Sequence, residues 1–250
     1  MSRLLRMAAI TAALAAAAMP ARAAEIKMIA SNAVKEAYLQ LIPAFEKATG
    51  HHVAVSWSGT DDAFRRVNGG EATDIVIAPS ATIDDLIARG KLAAGSHVDV
   101  AKSPIGVAVK AGAKKPDISS GEALKKTLLS ANRIVISAGP SGVYLPTAFA
   151  KLGIADEIKG KTTRLKSGES PAVAVANGQG DIGFTQVSEI IGVKGADYVG
   201  PLSPDVQHVT VFSAGLHRAA AAPDAAKAFL DFVKSPAAVP VLKKTGLDPG

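Results

Sequence analysis

Four short clusters of hydroxyl, amide and glycine residues each lie where an apolar run ends and a helical pattern begins. They are Ser31-Asn32, Ser58-Gly59-Thr60, Gly139-Pro140-Ser141-Gly142 and Ser167-Gly168-Glu169-Ser170. The start of a helix offers unpaired backbone N–H groups and the positive end of the helix dipole, so several such starts around one cleft can bind an anion without a buried Lys or Arg. The four clusters therefore predict a single anion-binding site.

Helix capping is the alternative role for these hydroxyl groups, and for any one serine or threonine it is the commoner one. Because the clusters recur at four helix starts, we favour ligand contact for Ser31, Thr60 and Ser141. For Asn32 and Ser170 the two roles are evenly balanced.

The sequence lacks the motifs of the common hydrolases and metalloenzymes. It has no Gly-x-Ser-x-Gly elbow and no cysteine, so no activated serine or thiol nucleophile is expected. Its five histidines show none of the His-x-x-x-His or His-x-x-Glu spacings of a zinc site. The Gly178-Gln179-Gly180-Asp181 run is a turn without the context of a phosphate loop. We therefore expect neither a metal nor a cofactor.

The first 23 residues have the pattern of a secretory signal peptide. Arg3 and Arg6 precede an apolar stretch, and the small-residue pattern Ala21-Arg22-Ala23 follows it. The apolar run at 7–19 is shorter than the roughly 20 residues that a membrane-spanning helix needs. We predict cleavage after Ala23 and a soluble periplasmic protein.

Removal of residues 1–23 leaves 227 residues and lowers the formal net charge from +6 to +3. No run of Lys and Arg with interleaved aromatic residues remains, so nucleic-acid binding is not expected. Without cysteines, no disulfide framework supports the fold, and the apolar core must hold it together. A chain of this length forms one large domain or two lobes of roughly 100 residues.

Short β-rich runs alternate with helical patterns along the whole chain, which predicts an α/β fold with mostly parallel sheets and flanking helices. The predicted strands lie at 26–30, 53–57, 74–78, 105–109, 134–137, 162–165, 182–186 and 209–213. The predicted helices lie at 34–49, where Pro43 should kink the helix or bring its end forward, and at 61–68, 83–89, 121–129, 145–152, 170–177 and 223–233. We expect chain crossovers near 101–104 and 200–208.

The order of several motifs resembles the periplasmic molybdate-binding protein family over the whole mature chain. These motifs are Ala30-Ser31 after the first strand, AFEKATG at 44–50, DIVIA at 74–78, PSGVY at 140–144, KLG at 151–153, GDIGF at 180–184 and SPAA at 235–238. The resemblance implies two α/β lobes, at 24–102 with 209–250 and at 103–208, joined by two crossover hinge strands. It also implies a monomer that closes around a small anion and delivers it to an ABC-type membrane permease.

The resemblance also assigns ligand contacts by position. It implies hydroxyl contacts from Ser31 and Thr60 and backbone contacts at Ser141 and near Gly168. Together with the clusters above it gives a set of candidate ligand-binding residues: Ser31, Asn32, Thr60, Ser141, Tyr144, Gly168, Ser170 and Gln186. Of these, Tyr144 is equally well explained as a packed helix residue.

Two positions depart from the family pattern. Gln186 stands where the molybdate binders have a tyrosine. The family's Ser-Ser pattern at the second contact is changed here to Ser58-Gly59-Thr60-Asp61, which places a carboxylate beside the expected anion. Glutamine can donate two N–H bonds, but it adds an acceptor and is shorter, which favours a ligand with its own donors or a different shape. The predicted ligand is therefore an oxyanion of the molybdate type or a small organic carboxylate.

An enzyme is the alternative, because some periplasmic aconitate isomerases are similar to the same family. Glu169 or Asp61 could then be the base that moves an allylic proton. Arg65, Arg66 or Lys166 could pair with the additional carboxylates of the substrate. The competing interpretation is that all five are solvated charges at the rim of the cleft.

Overall fold

The computed structural model describes residues 23–250, so the predicted signal peptide lies outside the described residues except for Ala23. The strands are β1 (Glu25–Ser31), β2 (His52–Ser58), β3 (Ile75–Pro79), β4 (Val98–Lys110), β5 (Ile134–Ile136), β6 (Thr162–Arg164), β7 (Ile182–Gln186), β8 (Ala196–Pro201), β9 (Val209–Leu216) and β10 (Asp248–Pro249). The helices are α1 (Lys35–Thr49), α2 (Thr60–Asn68), α3 (Ser80–Ala88), α4 (Gly121–Ser130), α5 (Pro140–Lys151), α6 (Ala155–Lys159), α7 (Pro171–Ala176), α8 (Pro223–Val233) and α9 (Val239–Lys244). Three short 3-10 turns complete the described elements: Asn32–Val34, Val187–Glu189 and Pro236–Ala238.

The strands form a mixed sheet in the order β2-β1-β3-β9-β4-β7-β5-β6, with β8 and β10 also paired to β4. Strands β1, β2 and β3 pair in parallel, and so do β5, β6 and β7. Strands β4 and β9 lie in the middle of the sheet and pair antiparallel with their neighbours. The predicted α/β fold class is confirmed, and its antiparallel pairs come from these two central strands.

Strand β4 connects the two parallel groups. Its first half pairs with β9 as far as Pro104, and from Ile105 onward it pairs with β7 and β8. The predicted crossover at 101–104 falls inside this strand, while the second predicted crossover, at 200–208, connects β8 to β9. We propose the boundaries 24–102 with 209–250 and 103–208 for the two lobes.

Each parallel group has its own apolar core. In the first, α1 buries Tyr38 and Phe45, and both rings make edge-on contacts with Phe229 of α8. In the second, Phe149 of α5 packs edge-on against Phe184 of β7. The largest core residues of each group therefore contact residues of the same group.

The main differences from the predicted elements occur at prolines and at partly exposed segments. Helix α1 continues through Pro43 to Thr49, where Gly50 ends it in the left-handed conformation (φ 74°). Helix α5 begins at Pro140, before the predicted start at 145, because proline suits the first position of a helix. The strand pattern did not predict β8, whose Gly and Pro residues weaken it.

His97 links α3 to the start of β4. Its Nδ1 lies 2.6 Å from Asp84 Oδ1, and its Nε2 lies 3.0 Å from Asp99 Oδ1. Partial burial opposes the charged imidazolium, but the hydrogen bonds and charges of Asp99 and Asp84 outweigh it and raise the pKa of His97. The imidazolium therefore stabilises the folded chain more than the neutral ring does.

We expect the ion pairs of His97 with Asp84 and Asp99 to make the free energy of unfolding depend on pH above the ordinary histidine pKa of about 6.5. Because the folded pKa is raised, the stabilisation is fully present below about pH 6.5 and is lost as the pH rises through the folded value. Urea unfolding of the wild type and His97→Gln at about pH 6 and pH 8.5 should show a stability difference of up to about 1 kcal/mol at the lower pH only. An equal difference at both values would contradict this assignment.

Candidate functional site

A cleft of about 330 Å³ lies between the two parallel groups. It is lined by the segments that follow β1, β2, β5, β6 and β7, so five strand ends converge on it. The carboxyl ends of strands are where α/β proteins generally bind ligands, because helix starts and loop residues meet there. The fold therefore makes this cleft the candidate site.

The first predicted cluster lies at the end of β1. The hydroxyl of Ser31 accepts the backbone N–H of Ala33 at 3.3 Å, and the side chain is buried. Ser31 and Asn32 both line the cleft. Since the capping bond uses the Ser31 oxygen as an acceptor, its O–H group remains able to donate to a ligand.

The second cluster joins β2 to α2. Ser58 is buried and donates to Asp62 Oδ2 at 2.7 Å, and this hydroxyl is the leading cause of the lowered pKa of Asp62. Gly59 is the residue before α2 and provides no side-chain cap, and Thr60 and Asp61 also line the cleft. The first turn of α2 therefore presents backbone N–H groups and a hydroxyl at the cleft.

The third cluster makes a tight turn before α5. The hydroxyl groups of Ser137 and Ser141 lie 2.7 Å apart, and the N–H of Gly142 donates to Ser137 Oγ at 3.2 Å. Ser137 lines the cleft, whereas Ser141 is buried behind the lining. Tyr144 also lies outside the lining, with its ring stacked on His208 at 4.7 Å.

The fourth cluster lies between β6 and α7. Ser170 caps α7 by accepting the N–H of Val173 at 3.4 Å, and Gly168 has a positive φ of 90°. Glu169 is exposed and accepts the N–H of Lys166 at 2.8 Å. Gly168, Glu169 and Ser170 all line the cleft, so the structure brings members of all four clusters together.

The second and fourth clusters approach each other closely across the cleft. A Cβ atom at Gly59 would lie 2.5 Å from the hydroxyl of Ser167. Glycine at 59 therefore permits a contact between the two halves of the cleft that a larger residue would hinder.

The floor of the cleft follows β7. Gln186 is 1 % exposed and donates through Nε2 to Thr210 Oγ1 at 2.9 Å, while its Oε1 is buried without a partner among the described residues. The hydroxyl of Thr185 donates to Glu189, which closes the turn Val187–Glu189. Glu189 is partly exposed, yet desolvation raises its pKa, and the hydrogen bonds from Thr185 and the backbone of Gln186 offset this only in part.

Comparison with known proteins agrees with this architecture. The family model of the bacterial extracellular solute-binding proteins matches residues 26–248. The chain belongs to this family. Its predicted resemblance to molybdate-binding proteins is confirmed, since this solute-binding protein is 29 % identical to the Molybdate-binding protein ModA of Azotobacter vinelandii, over 90 % of each chain.

A second curated relative of this solute-binding protein has a different name. The Aconitate isomerase of a Pseudomonas species is 33 % identical over 230 residues, which cover 90 % of this chain and 87 % of the relative. The solved structure of the Azotobacter vinelandii periplasmic molybdate-binding protein superposes with a TM-score of 0.77 at 21 % identity, covering 90 % and 99 % of the two chains. That likeness establishes the two-lobed fold.

The charged residues of the cleft limit how this solute-binding protein can hold an anion. The charged residues that line it are one lysine and four acids: Lys35, Glu36, Asp61, Glu169 and Glu189. Any anion must therefore be held mainly by hydroxyl, amide and backbone donors. Residues 23–250 contain no group of three or more His, Asp or Glu placed to hold a metal, and no helix within them is long and apolar enough to cross a membrane.

Glu189 is the main cleft residue of this solute-binding protein that the sequence patterns did not single out. The strand at 182–186 was predicted, and the polar residues that follow it were the available signal. Ser137 was missed as well, because it ends a predicted strand instead of starting a helix. Both residues line the cleft because the ends of β5 and β7 meet there.

Proposed function

We propose that this protein binds a small organic anion with two or three carboxylate groups, of the aconitate class, in the cleft between its lobes. The observation that carries the proposal is the floor of the cleft, where the buried amide of Gln186 and the partly exposed carboxyl group of Glu189 both line the site. We further propose that the protein is exported to the periplasm as a monomer and delivers its ligand to an ABC-type permease.

The size of the cleft supports an organic ligand. Its volume of about 330 Å³ falls at the lower end of the 300–1,000 Å³ typical of small-molecule sites. A single tetrahedral oxyanion would leave much of this space to water. A tricarboxylate can span it and reach several of the strand ends at once.

The donors that line the cleft are sufficient for useful affinity. Each hydrogen bond to a charged group contributes about 1.5–3 kcal/mol. Five or six such bonds support a micromolar or tighter dissociation constant after the costs of association. Carboxylates distributed over the ligand can use donors on both sides of the cleft, such as Ser31 and Ser170.

Gln186 favours an organic acid over molybdate. Its buried Oε1 is an acceptor with no donor among residues 23–250, and molybdate offers acceptors only. An organic acid with a hydroxyl group or a protonated carboxyl can donate to such an atom. The 33 % identical relative named Aconitate isomerase supports the same ligand class.

Isomerisation of aconitate is the second candidate function, and the name of that relative is the observation that favours it. The sequence offers Glu169 or Asp61 as candidates for the base of such an enzyme, and both residues line the cleft. Both are exposed, however, which leaves them well solvated.

A thermal-shift screen of the protein purified after secretion tests the ligand class. A ligand at 100 times its dissociation constant stabilises the folded state by about 2.7 kcal/mol, which corresponds to roughly 5–10 °C for a chain of this size. We expect such a shift with cis- or trans-aconitate or a related tricarboxylate. The mass of the same sample will test cleavage after Ala23.

The screen includes molybdate, tungstate, sulfate and phosphate as matched inorganic anions. A shift with molybdate or tungstate, and with no carboxylate, would contradict the proposed ligand class. Repeating the screen with Ser31→Ala/Thr60→Ala distinguishes binding in the cleft from binding elsewhere.

A further inference from the structure

Glu189 occupies an unusual position at the floor of the cleft. It ends the turn Val187–Glu189, which packs against the turn Asn32–Val34 that follows β1. The carboxyl group lines the cleft and is held by the hydroxyl of Thr185. It therefore faces the ligand space from a fixed position at the junction of the two halves.

No basic side chain of the described residues forms an ion pair with Glu189. The other charged groups that line the cleft are Lys35, Glu36, Asp61 and Glu169. Glu189 is partly exposed, but desolvation at the cleft floor without a paired cation favours the neutral acid and raises the pKa of Glu189, and the hydrogen bonds from Thr185 and the backbone of Gln186 oppose this only in part. Such a group exchanges protons nearer to neutral pH than an ordinary glutamate does.

The other carboxylates of the cleft differ from Glu189 in their surroundings. Glu169 is exposed and accepts a backbone N–H, and Asp61 is exposed at the start of α2. A solvated carboxylate is a weak base towards carbon, whereas a desolvated one has the higher basicity that proton abstraction requires.

We propose that Glu189 is the proton-transferring residue of the cleft and that its substrate is an unsaturated polycarboxylate with an allylic C–H beside a carboxylate group. This inference rests on the second candidate function, the isomerisation of aconitate. It transfers the role of base from Glu169 and Asp61 to a residue that is less exposed to solvent.

The reaction needs no oxidant or second reactant. The ionised carboxylate of Glu189 takes a proton from the allylic CH₂ carbon, so a C–H bond breaks and an O–H bond forms. The electron pair left behind delocalises over the allyl system and the attached carboxylates. Glu189 then returns a proton to the other terminal carbon, which restores the carboxylate and leaves the double bond in the shifted position.

The rest of the cleft stabilises the intermediate. The negative charge that develops on the carboxylates faces the hydroxyl of Ser31 and the uncapped start of α2. Fixed donors that face a developing charge are effective because they need no reorganisation during the reaction. One carboxyl group suffices as both base and acid, since the proton leaves and returns on the same allyl system.

Proton exchange with solvent tests this role. The full protein is incubated with cis- and trans-aconitate in D₂O, and deuterium incorporation and isomer ratio are followed by NMR, with binding measured separately by calorimetry. We expect Glu189→Gln to slow exchange at least on the order of 100-fold while the dissociation constant changes only a few-fold. Glu122→Gln, an exposed glutamate on α4 outside the cleft, is the matched control and should exchange at the wild-type rate.

A second variant covers the possibility that Glu189→Gln does not fold. Glu189→Asp keeps a carboxylate at a greater distance from the substrate, so exchange should be slowed but measurable. In the wild type the exchange rate should rise with pH through a pKa above the ordinary glutamate value of about 4.3. Thr185→Val removes the hydroxyl bond that favours the charged form, so its profile should move to higher pH.

The possible outcomes distinguish a failure of this inference from a failure of the proposed ligand class. Wild-type protein that binds aconitate without exchange or isomerisation overturns the inference and leaves the binding function intact. Exchange at the wild-type rate in Glu189→Gln also overturns the inference. The same holds if Glu189→Gln stays active and exchange is lost in Glu169→Gln or Asp61→Asn instead. Absence of aconitate binding in the wild type contradicts the proposed function itself, and this inference with it.

Discussion

Replacing Ser31 and Thr60 together by alanine is expected to weaken ligand binding by about 2–5 kcal/mol, since two donors to a charged ligand are lost. This corresponds to a rise of roughly 30-fold to several thousand-fold in the dissociation constant. Both residues line the cleft, and they follow neighbouring strands of the same sheet. Calorimetric titration with the ligand found in the thermal-shift screen measures the effect.

Ser120→Ala is the control for this double variant. Ser120 caps α4 by accepting the N–H of Ala123 at 3.1 Å and does not line the cleft. Its removal should cost about 1 kcal/mol of stability, as loss of a helix cap does, without changing affinity. If the double variant bound as tightly as the wild type, the ligand would occupy a different place.

Gly142→Ala is expected to have the largest effect on stability of any alanine substitution at a described glycine, because its added methyl group meets the closest neighbouring atom. A Cβ atom there would lie 1.7 Å from the carbonyl oxygen of Ser137, a backbone atom that cannot rotate away. The turn between β5 and α5 must therefore open, which breaks the bond from Gly142 N–H to Ser137 Oγ. We expect a loss of about 3 kcal/mol or more in the free energy of unfolding, at or beyond the upper end of ordinary overpacking.

Gly160→Ala is the matched control. Gly160 has a φ of −69°, and a Cβ atom there meets nothing within 4 Å. Because alanine restricts the unfolded chain more than glycine does, this variant should be neutral or more stable by up to about 1 kcal/mol. Urea unfolding of both variants measures the difference, and a Gly142→Ala protein as stable as the wild type would contradict the tight turn.

Much of the fold was predictable because the hydrophobic pattern is strong and regular. The strand DIVIA at 74–78 is buried on both faces, as its unbroken apolar run indicates, and α8 begins and ends where its pattern predicts. The strand β8 was not predictable, since it depends on pairing with β4 more than on its own residues. When the pairing partners of a strand lie far apart in sequence, the strand's own residues contain no periodic pattern that would predict it.

The candidate site was predictable in part. Residues that start helices after strands, such as Ser31 and Thr60, carry a local signal, and the structure places both at the cleft. Ser141 carries the same signal but lies behind the lining, because its hydroxyl turns towards Ser137. Tyr144 turns instead towards the segment between β8 and β9, where its hydroxyl donates to the carbonyl of Gln207 at 3.4 Å.

The sequence by itself determined the alternation of strands and helices, the α/β class, the family resemblance and the polar residues at the strand ends, because each depends on neighbours along the chain. Only the tertiary structure decided which strand ends meet, how β4 joins the two groups and that Glu189 lies at the floor of the cleft. The physical reason is that the desolvation of Glu189, and the lack of a basic partner for it within residues 23–250, arise from elements distant in sequence. The raised pKa of Glu189 is thus a property of the assembled cleft, which no local pattern contains.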